Sequence, residues 1–302
     1  MQEIISKINK LKIDRQAVIL VHNYQIPEVQ EIADFVGDSL ELSIKASQTK
    51  AEVIVFCGVH FMAETAAIIS PSKKVLLPDI HAGCPMADMI MVDGLKKLKS
   101  EHPAAKVVCY VNSGADIKAE SDICCTSANA VKVVQSLTSA KEIIFVPDKF
   151  LGQYVSTKVK DKKLILWQGF CPTHAKILPE HIQEAKRLYP KAIVLVHPEC
   201  RPETITLADE VLSTGGMLKF TKESGAAEII VGTEVAMIYR LEKENPEKRF
   251  YPAYAEAICP NMKLTNLEKV WWTLDEMNNQ IVVPPEIADQ ARRSIERMLK
   301  LG

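Results

Sequence analysis

The sequence predicts an α/β fold: three α/β/α units related by a pseudo-threefold axis, with parallel sheets around one central site. Three observations carry this expectation. Short β-branched runs alternate with helical stretches along the chain, and these runs fall into three groups of three. The dipeptide Cys-Pro occurs at Cys84-Pro85, Cys171-Pro172 and Cys259-Pro260, at intervals of 87 and 88 residues. Continuous apolar strands separated by helices belong to parallel sheets covered by helices. A fixed period means one supersecondary unit used repeatedly.

The elements follow in order. The first unit (1–100) offers the strands "AVILV", "VIVFC" and "KVLLP", with an amphipathic helical stretch "PEVQEIADFVG" between the first two. The second (101–187) offers "KVVCYV", "EIIFV" and "LILW", with "SANAVKVVQSL" and "PEHIQEAKRLY" as helices. The third (188–264) offers "AIVLV", "EIIVG" and the weaker "RFYPA". The remainder (265–302) closes with "PPEIADQARRSIERMLKLG", whose prolines and apolar spacing predict a terminal helix packing back on the body. Trp271 and Trp272 are expected to pack in the core or against helices. "VDGLKKLKSEHP" and "EKENPEKR" are expected to be solvated surface.

Each unit carries the same landmarks. Its first strand ends in polar residues, "VHNY", "CYVN" or "LVHPE", and a hydroxyl follows 17 residues after His22, Tyr110 and His197, at Ser39, Ser127 and Thr214. The Cys-Pro cysteines lie 62, 61 and 62 residues after the same three positions. Ligands of parallel α/β units gather outside the carboxyl ends of strands, so the landmarks predict one shared pocket. Alternation along a strand pairs His22 with Tyr24, Tyr110 with Asn112 and His197 with Glu199. Such groups suit proton transfer near neutral pH. Ser39, Ser127 and Thr214 stand at expected helix starts, where they are either N-caps or anion-binding groups. Gly215 and Gly216 would let backbone approach a ligand closely.

Bulk properties narrow the function classes. The 302 residues carry 37 basic and 38 acidic side chains, which excludes a general nucleic-acid binder. The start, "MQEIISKINKLK", lacks the apolar core of a secretory signal, and no apolar run approaches the roughly 18 residues of a membrane span. A cytoplasmic protein with no membrane partner is expected. The eight cysteines then read as buried thiols, metal ligands or catalytic groups. Cys84, Cys171 and Cys259, in register, would repel as thiolates unless something cationic held them. Zinc would want a fourth ligand, and "QGFCPTH" alone offers one nearby, His174. Cysteine followed by proline also recurs in iron–sulfur ligation, and a [4Fe–4S] cluster on three cysteines leaves one iron open as a Lewis acid. The cluster is the preferred reading. Cys109 and Cys200 should face away from the pocket, and Cys57, Cys124 and Cys125 read as packing or loop residues.

Together the three Cys-Pro units, "HNYQIPEVQEIADFVGDSLELS", "YVNS", "HPEC" and "VLSTGGM" resemble the quinolinate synthase family over essentially the whole chain. The resemblance implies a [4Fe–4S] cluster on Cys84, Cys171 and Cys259. It also implies condensation of iminosuccinate with dihydroxyacetone phosphate to quinolinate, phosphate and two waters, as part of NAD biosynthesis. Matched by motif, His22, Ser39, Tyr110, Asn112, Ser127, His197, Glu199 and Thr214 would line the substrate site. Tyr24 and Glu199, with His22 beside them, would serve proton transfer. Contact with an enzyme supplying iminosuccinate is a further implied partner. "AEAICPNMK" offers only Cys259, so a disulfide switch around the third ligand is not expected. Two alternatives remain open at this point: a non-catalytic iron–sulfur or zinc sensor, and an unrelated iron–sulfur hydro-lyase.

Overall fold

The computed structural model describes residues 1–301. Three four-stranded sheets, all parallel, succeed one another along the chain. The first contains β1 (Ala17–His22), β2 (Phe35–Gly37), β3 (Val53–Cys57) and β4 (Lys74–Leu76) in the order β2-β1-β3-β4. The second repeats it with β5 (Lys106–Tyr110), β6 (Ile123–Cys125), β7 (Glu142–Val146) and β8 (Lys163–Leu166). The third does so with β9 (Ile193–Val196), β10 (Glu210–Val211), β11 (Glu228–Gly232) and β12 (Arg249–Pro252). Central strands such as β3 are buried at every residue, because helices cover both faces and leave no solvent side.

The nine strand-like runs all become strands, but β2, β6 and β10 were not expected. They are two or three residues long, too short to show a period. The stretch "PEVQEIADFVG", expected to be one helix, is helical only over Pro27–Glu31 and then becomes β2. Each short strand is latched by an aspartate. Asp34 donates its N–H to Ile19 O (3.0 Å) and accepts Ile19 N–H on Oδ2 (2.8 Å). Asp122 does the same with Val107 and Asp209 with Val194, at the same distances. Two bonds to one residue fix the register where three strand residues could not. The hydroxyl follows its latch by five residues in every unit.

The C-terminal helix Pro285–Leu299 packs back on the body through Ala288, Ala291, Ile295 and Met298. It ties two units together: Arg292 Nε donates to Ile68 O (2.9 Å) and Ser294 Oγ to Lys118 O (2.8 Å). Trp271 is partly buried against the first unit's outer cluster, but Trp272 is 57% exposed, contrary to the packing expected of both. No described helix is long and apolar enough to cross a membrane.

Candidate functional site

The carboxyl ends of the three sheets meet at one cavity. Its wall contains His22, Tyr24, Ser39, Cys84, Tyr110, Asn112, Ser127, Cys171, His197, Glu199, Thr214 and Cys259. All twelve side chains singled out by the repeat are thus brought together, while Cys57, Cys109, Cys124, Cys125 and Cys200 lie buried in the packing. The local reason differs from simple strand alternation. Of the paired residues only His22 and Tyr110 end a strand; Tyr24, Asn112, His197 and Glu199 sit in the turns that follow.

Those turns fix the histidine tautomers. Tyr24 N–H donates to His22 Nδ1 (3.2 Å) and Glu199 N–H to His197 Nδ1 (3.4 Å). With Nδ1 accepting, Nε2 carries the proton, and that of His197 points at Ser127 Oγ (3.1 Å). Burial pushes both rings down to about 3, against the attraction of Glu199, so they are neutral at pH 7. They offer hydrogen bonds rather than charge.

A chain of buried hydrogen bonds crosses the cavity wall between units. Tyr24 OH lies 2.6 Å from Thr233 Oγ1, which lies 2.8 Å from His174 Nε2; His174 Nδ1 lies 2.7 Å from Glu199 Oε2. Glu199 Oε1 accepts from Tyr110 OH (2.6 Å) and Asn112 Nδ2 (3.3 Å). Burial raises the Glu199 carboxyl, but His174 and the Tyr110 hydroxyl outweigh it and hold it well below the usual range. Burial, then Glu199, pushes both Tyr24 and Tyr110 up, so their phenols stay protonated.

The hydroxyls stand at the helix starts but are not the caps. Asp38 caps the helix Ser39–Gln48 through Leu40 and Glu41 N–H, and Ser213 caps Thr214–Glu223 through Gly216 N–H. Ser39 and Thr214 are therefore first residues of their helices, and Ser127 lies in the turn leading into Ala130–Ser136. Thr214 Oγ1 is further held by Asn23 Nδ2 (2.8 Å), itself gripped by Arg240. Gly215 and Gly216 are not among the residues that line the cavity. A Cβ on Gly215 would meet Asp38 Oδ2, itself on the cavity wall, at 2.8 Å, so the close approach seen there is to that carboxylate.

Cys84, Cys171 and Cys259 are half-buried free thiols, each at the start of a proline-led turn. Burial raises all three, Cys84 to about 12. In each, backbone N–H groups of the following turn work the other way: Met86 and Ala87 on Cys84, His174 on Cys171, Asn261 and Met262 on Cys259. Amides aimed at sulfur suit thiolate, and a bound cation would supply the rest of the shift. The ligand atoms of Cys171, His174 and Glu199 also lie within 4.8 Å of one another. Their contacts of 2.7 and 3.1 Å are those of a hydrogen-bonded trio. Donors sharing a zinc ion at about 2.0–2.3 Å would stand roughly 3.3 Å or more apart.

The sequence profile of one family, described as "NadA: Quinolinate synthetase A protein", matches residues 6–300. The chain belongs to the quinolinate synthetase A family. A protein named quinolinate synthase from Dehalococcoides mccartyi (strain CBDB1) is 58% identical over 301 residues, spanning 99% of each chain. Those of Geobacter sp. (strain M21) and Methanosarcina barkeri (strain Fusaro / DSM 804) are each 54% identical, over 98% of this chain and 97% of theirs.

In this quinolinate synthetase A family enzyme, three residues at or behind the cavity wall, His174, Thr233 and Glu234, carry no landmark of the repeat. His174, expected from the sequence only as a possible zinc ligand, joins Thr233 to Glu199. Thr233 and Glu234 follow β11 directly, a strand end that the landmarks of the first strands did not cover. The signal available was position: the corresponding ends of β3 and β7 are followed by Val59 and Asp148, and side chains so different show no motif.

Proposed function

We propose that the chain is a quinolinate synthase of NAD biosynthesis, working in the cytoplasm. It condenses iminosuccinate with dihydroxyacetone phosphate to give quinolinate, phosphate and two waters. Iminosuccinate arrives through contact with the enzyme that makes it. The observation that carries the proposal is the convergence of three proline-led cysteines and the Tyr24–Thr233–His174–Glu199 chain on one cavity. Cys84, Cys171 and Cys259 would hold a [4Fe–4S] cluster, and their thiols with converging amides fit it. When bound, the cluster supplies a Lewis acid at an iron that no cysteine occupies.

The protein's own groups divide the remaining work. Ser39 and Thr214, as first residues of their helices, and Ser127, in the turn before its helix, hold phosphate and carboxylate oxygens through their hydroxyls. His22 and His197 add neutral N–H donors. Buried Asn112 Oδ1 has no partner, and a substrate imine N–H or hydroxyl would satisfy it. The hydrogen bonds give the relay a direction: with His174 Nδ1–H on Glu199, Nε2 accepts from Thr233, and Thr233 from Tyr24. A proton taken from substrate by the Tyr24 oxygen can pass its predecessor to His174, where Glu199 stabilises the imidazolium. The return transfer makes Tyr24 an acid for a leaving hydroxyl.

Anaerobically prepared protein given both substrates should form quinolinate, read by its product in a coupled or chromatographic assay. Tyr24→Phe and Glu199→Gln should each lower the rate about 10²-fold or more while retaining cluster and fold. Wild-type rates in both variants would remove the proton relay. A fully loaded wild-type protein that made no quinolinate would leave a non-catalytic cluster protein instead.

A further inference from the structure

We infer that Asn23, held by Arg240, is a positioning residue that makes the Thr214 hydroxyl a hydrogen-bond donor toward the cavity, selecting a phosphate or carboxylate oxygen there. The inference rests on the reading of that hydroxyl as an anion contact. Asn23 lies fully buried between His22 and Tyr24, in the turn after β1. Its backbone is already tied within the first unit: its N–H donates to Gly37 O (3.1 Å) and its carbonyl accepts from Gln30 Nε2 (3.3 Å). The side chain crosses instead to the third unit. There Oδ1 accepts from Arg240 Nη1, and Nδ2 donates to Thr214 Oγ1 (2.8 Å).

The orientation of that amide follows from its partners. A guanidinium has only donors and stays charged at any ordinary pH, so the atom facing Arg240 is the oxygen and the amino group faces Thr214. Arg240 is itself fixed: its Nε donates to Glu244 Oε1 (2.8 Å), and Lys222 Nζ lies 2.6 Å from Glu244 Oε2. A threonine hydroxyl carries one proton, and with Asn23 on a lone pair that proton is free for another acceptor. Among the described residues Thr214 Oγ1 makes no other hydrogen bond, and the cavity is the side from which an acceptor can reach it. The same logic recurs in a second hydroxyl. His197 Nε2–H of the third unit donates to Ser127 Oγ of the second (3.1 Å), which again leaves the hydroxyl proton for the cavity. In both, a donor from a neighbouring unit sets the polarity. A phosphate or carboxylate oxygen, which only accepts, fits such a hydroxyl; a ligand N–H does not.

The test titrates anaerobically prepared holoprotein with inorganic phosphate and, separately, with succinate, followed by calorimetry. The proteins are wild type, Asn23→Asp, Thr214→Val and the double variant. Asn23→Asp keeps the shape and pairs with Arg240, but a carboxylate only accepts, so it takes the Thr214 proton. Binding of the anion that Thr214→Val weakens should fall about 10-fold or more, the scale of one hydrogen bond to a charged group. The melting midpoint should stay at or above that of wild type. An added charge would also repel an anion, but it would do so whether or not the hydroxyl is present. Asn23→Asp should therefore weaken binding several-fold less in the Thr214→Val background than in wild type. Arg240→Gln, which removes the donor-only partner and adds no negative charge, should show the same dependence on Thr214. Equal weakening by Asn23→Asp in both backgrounds, or none in either, would overturn the inference and leave the hydroxyl reading standing. If Thr214→Val binds both anions as wild type does, the anion reading of that hydroxyl fails first and takes this one with it.

Discussion

His22 and His197 sit 4% exposed with native pKa values near 3, against an ordinary value of 6.5. The unfolded chain therefore takes up protons before the native state does. Their contribution to stability is full above pH 6.5 and is lost as pH falls toward 3. Glu199, held below its ordinary 4.5, adds a loss of the same sign further down. Asp38, pushed up to about 6 by burial and by Glu41, and Asp148, pushed well above its ordinary 3.8 by burial and by Glu199, act in the opposite sense, two groups against two. A His22→Gln/His197→Gln double variant lacks the loss that the two rings bring, so its thermal midpoint should fall less, or rise more, than that of wild type as pH is lowered from 6.5 to 4.5. Equal slopes in both proteins would mean the two rings are charged in the native state. At this scale the sequence was legible where residues recur in register, as His22, Tyr110 and His197 do. It marked His174 only as a possible zinc ligand and left Thr233 unmarked, because each makes its bonds across units and neither has an equivalent in the other copies.

β2, β6 and β10 show how little chain is needed to aim a helix. Each is held by one aspartate bonded twice to a neighbouring strand, and each leads within a few residues to Ser39, Ser127 or Thr214. Asp209→Ala removes the acceptor for Val194 N–H and should cost about 1 kcal/mol or somewhat more. Asp209→Asn keeps an oxygen there and should cost less, in denaturant melts of the two variants. Because β10 directs Thr214 into the cavity, the alanine variant should also bind phosphate more weakly by titration. An alanine variant as stable as wild type would show that the latch adds nothing to the packing of β9. The long strands were readable from apolar runs alone. The short ones were not, since their stability lies in a side-chain bond and a neighbour, neither of which leaves a period.

The three units are interlocked as well as repeated. Tyr24 of the first meets Thr233 of the third, Ser127 of the second meets His197 of the third, and Asn261 Nδ2 donates to Gly83 O (2.7 Å) beside Cys84. No unit contains a complete site, which explains why a threefold repeat can host one reaction with unlike residues at equivalent positions. The fold class was legible because the Cys-Pro period marks three copies outright; which units touch, and through what atoms, is a matter of tertiary geometry. The most direct test of the whole account is the iron and sulfide content of protein purified without air. The account predicts about four of each per chain, lost on replacing Cys84, Cys171 or Cys259 by alanine and kept on replacing Cys109 or Cys200. Stoichiometric zinc without iron, or a cluster that survives removal of any one of those three cysteines, would contradict it.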